Sequence, residues 1–453
     1  MERFDVAVIG AGVTGVATAR RFALDGQRVL LLEKGADVLS GASKANSALL
    51  HTGFDAPEGS LELRCMQLGY AEFMALREAM NLPVLKTGAM VIAWTAAQEA
   101  ALPEILAAAH RNGVTDAHLI STKEILTRDP QLSPQARAAV LVPGESVIDP
   151  WSPFHGYAQE ILAAGGTIQC RNEVVGGQFD GTLWHINTTA GAFHATRVIN
   201  CAGLYGDRID ALLLGRTDFT IKPRKGQFVV FDKAAARLLN SIILPVPDAR
   251  TKGVVLTPTI FGNLLVGPTA EETEDRSRAT VTRPELDMLL QRACDILPAL
   301  RDMPVTATYA GLRPATEFKE YRIRHDASRN WVTVGGIRST GLTASLGIAR
   351  YVAELLGIRP ALAQSVTPRM PNLAEHLPRD WQTPGYGEIV CHCEMVTRRE
   401  IEAAFASPFP PGDLGGLKRR TRCAMGRCQG FNCMGRIEEL TRGRLSPAIA
   451  VAL

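Results

Sequence analysis

Six residues near the start, Gly10-Ala11-Gly12-Val13-Thr14-Gly15, restrict this chain more than any other feature in it. They follow a short apolar run, Val6–Ile9, and open a stretch, Gly15–Leu24, whose apolar residues recur at helical spacing. A second apolar run, Arg28–Leu32, ends at Glu33. Strand, helix and strand in this order make a βαβ unit, which implies a parallel sheet. Gly10 permits the tight turn, a side chain at Gly12 would collide with a pyrophosphate, and Gly15 lets the helix approach the sheet. The helix N-terminus offers free N–H groups and a positive dipole end to phosphates. A carboxylate at Glu33 can accept hydrogen bonds from adenosine ribose hydroxyls.

The glycines do not choose between NAD and FAD. Ser40-Gly41-Ala42-Ser43-Lys44-Ala45-Asn46-Ser47 favours FAD, because a small polar segment can wrap a diphosphate and reach an isoalloxazine ring. Further along, Leu61–Met80, Ala97–Asn112, Trp151–Ala164, Pro284–Leu297 and Gly341–Leu356 have helical periodicity. Residues 84–94, 167–175, 197–201 and 331–335 read as strands, and 218–232 and 253–268 as antiparallel strands. Residues 366–387 hold Pro368, Pro371, Pro378 and Pro384 without periodicity, the composition of a linker that wraps or spaces the last unit.

The 453 residues suggest two to four structural units. A formal net charge of +3 gives no reason to expect nucleic-acid binding. Basic residues cluster once, at Lys418–Arg422 with Arg427, and a solvated charged loop is the expected reading, with docking of an acidic partner the alternative. No apolar run is long enough to span a membrane and no secretory signal is recognisable, so a cytoplasmic location is expected, peripheral at the inner membrane if a partner attaches it there.

Nine cysteines without an export signal argue against a disulfide scaffold. Cys65, Cys170, Cys201 and Cys294 are scattered through apolar stretches, as buried small hydrophobes are. The other five lie close together: Cys391 and Cys393 in a C-x-C, then Cys423, Cys428 and Cys433. Soft thiolates at this density select an iron–sulfur cluster or zinc, and spacing alone permits either.

The glycine pattern, the Ser/Asn segment, Arg197-Val-Ile-Asn-Cys-Ala-Gly203 and Val334-Gly-Gly-Ile-Arg-Ser-Thr-Gly-Leu-Thr343 together resemble the D-amino-acid-oxidase superfamily of flavoenzymes over residues 1–365. The resemblance implies that Gly10, Gly12, Gly15, Glu33, Ser43, Asn46 and Ser47 hold FAD. It places Gly203 on a strand under the cofactor, and Gly336, Gly341, Leu342 and Thr343 near the flavin ring. Glu173 and Val174 match the position that holds the adenine through backbone contacts. Asn46–Phe54, Pro223–Gln227, Thr251–Gly253 and Gly311–Pro314 are most similar to anaerobic-type glycerol-3-phosphate dehydrogenases and L-2-hydroxyglutarate dehydrogenases.

Such an enzyme needs a cation for the anionic end of its substrate and a route for the hydroxyl proton. Arg313 is the expected anion clamp, since its Gly-Leu-Arg-Pro setting resembles the loop whose arginine binds the substrate's acid group. Arg338 is expected as a second anion contact or as a group stabilising reduced flavin, and His51 as the base. Lys252 and Lys225 are alternative anion contacts.

Residues 389–394 and 418–433 resemble the bacterioferritin-associated-ferredoxin-like module. The resemblance implies a 2Fe–2S cluster on Cys391, Cys393, Cys428 and Cys433. Cys423 stands where that family has a small residue and is a potential competing ligand. A one-electron centre could pass electrons to a partner subunit or quinone, or serve as a structural or docking element.

The expected fold is α/β, α+β overall. A Rossmann-like FAD-binding domain (1–80, 145–215, 325–365) carries an inserted antiparallel-sheet substrate domain (81–144, 216–324). A linker (366–387) leads to a small helical 2Fe–2S domain (388–453). The expected function is FAD-dependent oxidation of a small anionic hydroxy compound, with glycerol 3-phosphate first, an L-2-hydroxy acid second and an amino or imino acid third. The other class of reading is an electron-transfer subunit inactive alone.

Overall fold

The computed structural model describes residues 2–247, 253–358 and 366–449. Lys252 lies outside the described residues.

Strand Arg3–Ile9 is sandwiched between Val29–Leu32 and Gly191–Asn200 and runs parallel to both. Thr167–Gln169 and Trp331–Gly335 continue the parallel sheet on either side. Antiparallel strands Val174–Phe179, Trp184–Thr188 and Arg322–Asp326 complete its eight strands. The continuous apolar runs follow from burial on both faces. Val6, Val8, Val29 and Leu31 enter one core, while Ala7, Ile9, Leu30 and Leu32 enter the opposite one.

Helices Val13–Leu24, Leu61–Leu76, Ser152–Ala163 and Gly341–Leu355 cover the first face and fill its core. Two of them cross closely because glycine removes side chains at the contact. A Cβ on Gly69 would sit 2.0 Å from the Thr343 carbonyl oxygen, and one on Gly347 would sit 2.0 Å from that of Cys65.

A second sheet of nine strands is mainly antiparallel. Its one parallel pair joins Ile242–Pro245 to Ala89–Ala93. Its longest pairing, at one end of the sheet, is Arg224–Phe231 against Val305–Arg313, which brings Arg313 opposite Arg224. A separate core of Ile, Leu, Val and Phe side chains lies beneath it.

The last unit is a small helical module: Arg398–Ala406, Leu414–Thr421 and Met434–Thr441, with a two-stranded ribbon Ile389–Cys391 and Val396–Thr397. Thr397 and Glu400 form a capping box at the first helix, and Asp413 caps the second through the Gly416 N–H. Val390, Leu417 and Ile437 meet in its core. Residues 366–387 are strapped to the body: Met370, Leu373 and Ala374 are buried, and the Glu375 N–H donates to the Ile260 carbonyl at 2.9 Å.

The basic cluster corrects its expectation. It is neither a solvated loop nor a surface left for an acidic partner. Arg419 and Arg420 are 7% exposed and Arg422 is 5% exposed, because this helix docks on the chain's own body. Arg420 forms two hydrogen bonds with the buried Asp37 carboxylate, at 2.6 and 3.0 Å, and Arg419 donates to the Val38 carbonyl at 3.1 Å. Arg427, on the surface, pairs with Asp232 at 2.7 Å. Among the described residues no helix is long and apolar enough to cross a membrane.

Candidate functional site

Parallel strands end at one edge, so the residues that follow Ile9, Leu32, Gln169, Asn200 and Gly335 collect along one crevice. Gly10 leaves its strand at φ +97°, a conformation that suits glycine, and packs on the Cys201–Ala202 backbone. A Cβ on Gly15 would lie 1.8 Å from the Gly10 carbonyl oxygen, so glycine is obligatory there. At Gly12 a Cβ would meet only the Ser43 hydroxyl, at 3.0 Å, which leaves the helix N-terminus accessible to a ligand. The Ser43 hydroxyl also accepts from the Val13 N–H at 3.0 Å.

Glu33 is bound to the glycine loop itself. Its two carboxylate oxygens accept from the Ala11 and Gly35 N–H groups, each at 2.7 Å. Burial raises its carboxyl against the pull of those two N–H groups. Both backbone groups of Glu173 are engaged with Thr189: its N–H donates to the hydroxyl at 3.2 Å and its carbonyl accepts at 2.9 Å. Val174 opens its strand opposite Thr188, beside an irregularity in the ladder.

The Ser40–Ser47 segment runs from this crevice to the second sheet. Alternate residues of a strand share a face, and along Val305–Arg313 that face carries Tyr309, Gly311 and Arg313. The Tyr309 hydroxyl donates to the Asn46 carbonyl at 2.7 Å, and a Cβ on Gly311 would lie 2.8 Å from that of Ala45. Arg313 therefore lies on the side of the sheet that meets the segment. Its guanidinium donates to the Thr269 carbonyl at 3.0 Å. Burial, with Arg224 nearby, lowers its pKa to about 10. Among the described residues no carboxylate comes within ion-pairing distance of it. Two other candidate cations among the described residues are neutralised: Lys225 pairs with Glu271 at 3.0 Å, and Arg338, at φ +45°, with Glu62 at 3.1 Å.

His51 follows that segment, four residues beyond Ser47. Its N–H donates to the Thr343 hydroxyl at 3.0 Å, tying it to the glycine-rich loop at the start of helix Gly341–Leu355. Its ring Nδ1 lies 2.8 Å from the fully buried Glu145 carboxylate, whose other oxygen accepts from the Thr52 N–H at 2.6 Å and hydroxyl at 2.8 Å. Sequence reasoning missed Glu145. Its signal was a lone acidic residue at a turn within the apolar stretch 138–148, where a buried charge requires a partner.

In the module the thiols meet as two pairs: Cys393 with Cys428, and Cys391 with Cys433. N–H groups of Asn432 and Gly430 hold the Cys428 thiol below its ordinary range, as suits a thiolate ligand. Burial pushes Cys423 up to about 12, close to Cys391 and bonded to Thr421. Among the described residues no three His, Cys, Asp or Glu side chains surround one ion position. Two thiol pairs fit a centre of two irons, each taking two thiolates, better than a single tetrahedral ion.

Residues 5–355 match the family model described as FAD dependent oxidoreductase, and residues 389–442 match a BFD-like [2Fe-2S] binding domain. The chain belongs to the FAD dependent oxidoreductase family, and its cofactors are FAD and a 2Fe–2S cluster. It is 31% identical to a glycerol 3-phosphate dehydrogenase of Caloramator mitchellensis, over 96% of this chain and 93% of that protein. It is 26% identical to one of the subunits of the anaerobic glycerol-3-phosphate dehydrogenase of Escherichia coli (strain K12), over 95% of this chain and 86% of that one. Among solved structures, dithionite-reduced L-alpha-glycerophosphate oxidase from Mycoplasma pneumoniae with FAD bound superimposes with a TM-score of 0.72. It shares 27% identity and covers 82% of this chain and 97% of its own.

Proposed function

We propose that this chain oxidises the secondary alcohol of glycerol 3-phosphate to a ketone, and that the electrons leave through the 2Fe–2S centre. One observation carries the substrate class: Arg313 is a partly buried guanidinium on the face beside the Ser40–Ser47 segment, with no carboxylate partner among the described residues. A desolvated, unneutralised fork of N–H donors suits a phosphate or carboxylate. The names of the relatives favour the phosphate.

Arg313 holds the anionic end of the substrate and so fixes the position of the reacting carbon. With Nδ1 of His51 held 2.8 Å from the Glu145 carboxylate, the imidazole is the group that takes the hydroxyl proton. Glu145 is a positioning residue: it sets the ring's tautomer and orientation and favours the imidazolium as it forms. When bound, FAD supplies the two-electron acceptor for the substrate C–H. Gly10, Gly12, Gly15, Glu33 and Ser43 hold its phosphates and ribose, Asn46 and Ser47 follow it toward the ring, and Val174 borders the adenine. Gly203, Gly336, Gly341, Leu342 and Thr343 line the crevice, while Arg338 orders its loop through Glu62. Cys391, Cys393, Cys428 and Cys433 bind the cluster. The external acceptor is a partner subunit or a quinone, in keeping with the relative that is itself one subunit of an enzyme.

Anaerobic mixing with a small panel tests this. Glycerol 3-phosphate should bleach the flavin. Bleaching by L-2-hydroxyglutarate alone would move the substrate to a 2-hydroxy acid, and bleaching by no member would make the chain an electron-transfer subunit. Iron analysis with EPR after dithionite, on wild type and on Cys428→Ser and Cys423→Ser, tests the ligands: the first should lose the cluster and the second keep it.

A further inference from the structure

At the junction of all three units, planar groups from each meet in an unbroken series of contacts. The Trp151 indole N–H donates to the Lys44 carbonyl, at 3.3 Å, on the segment that carries Ser43, Asn46 and Ser47. The indole stacks on Phe261, which sits in the turn between strands Val255–Pro258 and Leu264–Gly267 of the second sheet. Their ring centroids are 5.6 Å apart and the planes 13° from parallel. On Phe261 lies the guanidinium of Arg422, 3.9 Å from the ring centroid. The Arg422 Nε in turn donates to Glu394 at 2.8 Å. Glu394 follows Cys393 directly, and a Cβ on Gly426 would meet both the Cys393 Cβ, at 2.4 Å, and the Glu394 carboxylate, at 3.0 Å.

All four side chains are at most 9% exposed, so the series is shielded from solvent. The module also has fastenings apart from this series. Asp37–Arg420 and Asp232–Arg427 hold it at two separate points. Arg422 itself is also held by its ion pair with Glu394. What the series adds is unbroken contact of π systems and hydrogen bonds from the cofactor-binding segment to a cysteine of the cluster module. Electronic coupling falls steeply across a gap and far less through stacked or bonded groups.

We propose that Trp151, Phe261 and Arg422 form the path by which electrons pass from the flavin to the 2Fe–2S centre. The proposal rests on the reading that the flavin is oxidised through that centre. Each passage moves one electron from reduced flavin to one ferric iron, which becomes ferrous. No bond is made or broken in the stack, and the flavin's proton goes to solvent. An external one-electron acceptor, an iron–sulfur protein or a quinone, must reoxidise the cluster between passages.

The test uses the full-length holoprotein and reduces the flavin by a light flash with EDTA as donor, so that an error in the substrate leaves it intact. Cluster reduction is followed by freeze-quench EPR. Phe261→Leu keeps bulk and removes the ring, Arg422→Lys keeps charge and removes the plane, and Phe261→Trp keeps a ring. Cluster reduction should slow about tenfold in the first two and recover in the third. Flavin spectrum, iron content and protease resistance of residues 366–387 should stay as in wild type. Undiminished cluster reduction in Phe261→Leu overturns the path. So does slowing accompanied by cleavage at 366–387 that Phe261→Trp fails to reverse, because the stack would then only hold the module in place. If no electron reaches the cluster even in wild type, the parent reading fails instead.

Discussion

The end of the second sheet and the seam under the cysteine module both withdraw arginine from water, partly at the sheet and fully at the seam, and they treat its charge in opposite ways. At the seam, Arg420 and Asp37 are 7% and 0% exposed and closed on each other by two hydrogen bonds. Nothing is left for a ligand to satisfy. At the sheet end, Arg313 has a carbonyl for company and the repulsion of Arg224, and burial lowers its pKa. A paired buried charge is satisfied within the chain; a partly buried charge with no carboxylate beside it among the described residues still has N–H donors to offer, which is the basis of the anion role proposed for Arg313.

The largest effect that could break this contrast is at Arg313. Arg313→Ala should lower kcat/KM for the phosphorylated substrate about 1,000-fold, ~4 kcal/mol, while FAD stays bound. Steady-state kinetics with an artificial acceptor, together with the flavin spectrum, measure it. Activity within a few-fold of wild type would make Arg313 as structural as Arg420.

Asp37→Ala should act on stability and leave substrate affinity alone. Stranding Arg420 should cost ~3 kcal/mol, the low end for a broken buried pair, because the guanidinium keeps the Gly416 carbonyl at 3.0 Å and the Phe409 ring at 5.3 Å. Thermal unfolding and protease cleavage at residues 366–387 report it. Adding Arg420→Met should recover part of the loss, since the stranded charge and not the missing contact is what destabilises.

Glu145→Gln separates positioning from binding. It should reduce kcat about 10–100-fold with little change in KM, because the ring loses its orienting carboxylate while Arg313 is untouched. A change confined to KM would remove Glu145 from the proton route.

The smallest effect is at the exposed tie between Arg427 and Asp232. The bonds from Arg427 hold the Asp232 carboxyl at about 2, below its ordinary 3.8. A carboxyl depressed on folding stabilises above its unfolded value, so this contribution is complete above pH 3.8 and is lost as pH falls through about 2. Arg427 is 68% exposed and well screened, so Asp232→Asn should cost less than about 1 kcal/mol at neutral pH and nothing measurable in high salt. Melting curves at two ionic strengths check it. A cost equal to that of Asp37→Ala would mean that burial does not distinguish the two ties.

Where chemistry depends on close spacing, the amino-acid order displayed it. Gly10, Gly12 and Gly15 sit within one turn and one helix start, and the C-x-C of Cys391 and Cys393 is two residues apart, so their geometry is local. Residue character also marked Arg313 and His51 as candidates. The Gly-Leu-Arg-Pro setting put Arg313 ahead of Lys225 and Arg338, but only the fold supplies Glu271 and Glu62 to the other two cations. It misread Lys418–Arg422, since a run of positive charge looks solvated until a buried carboxylate is brought against it.

By itself, then, the order of residues determined the dinucleotide turn, the thiolate-rich tail and the alternation of strand and helix, all of which rest on backbone sterics and short-range periodicity. Tertiary structure alone decided which charges are matched. Glu145 reaches His51 across 94 positions and Asp37 reaches Arg420 across 383, and no local pattern encodes such meetings. They exist because closing the cores brings the groups together in a medium where an unmatched charge is costly, and that cost is what sets an arginine matched by a carboxylate apart from one that has none beside it.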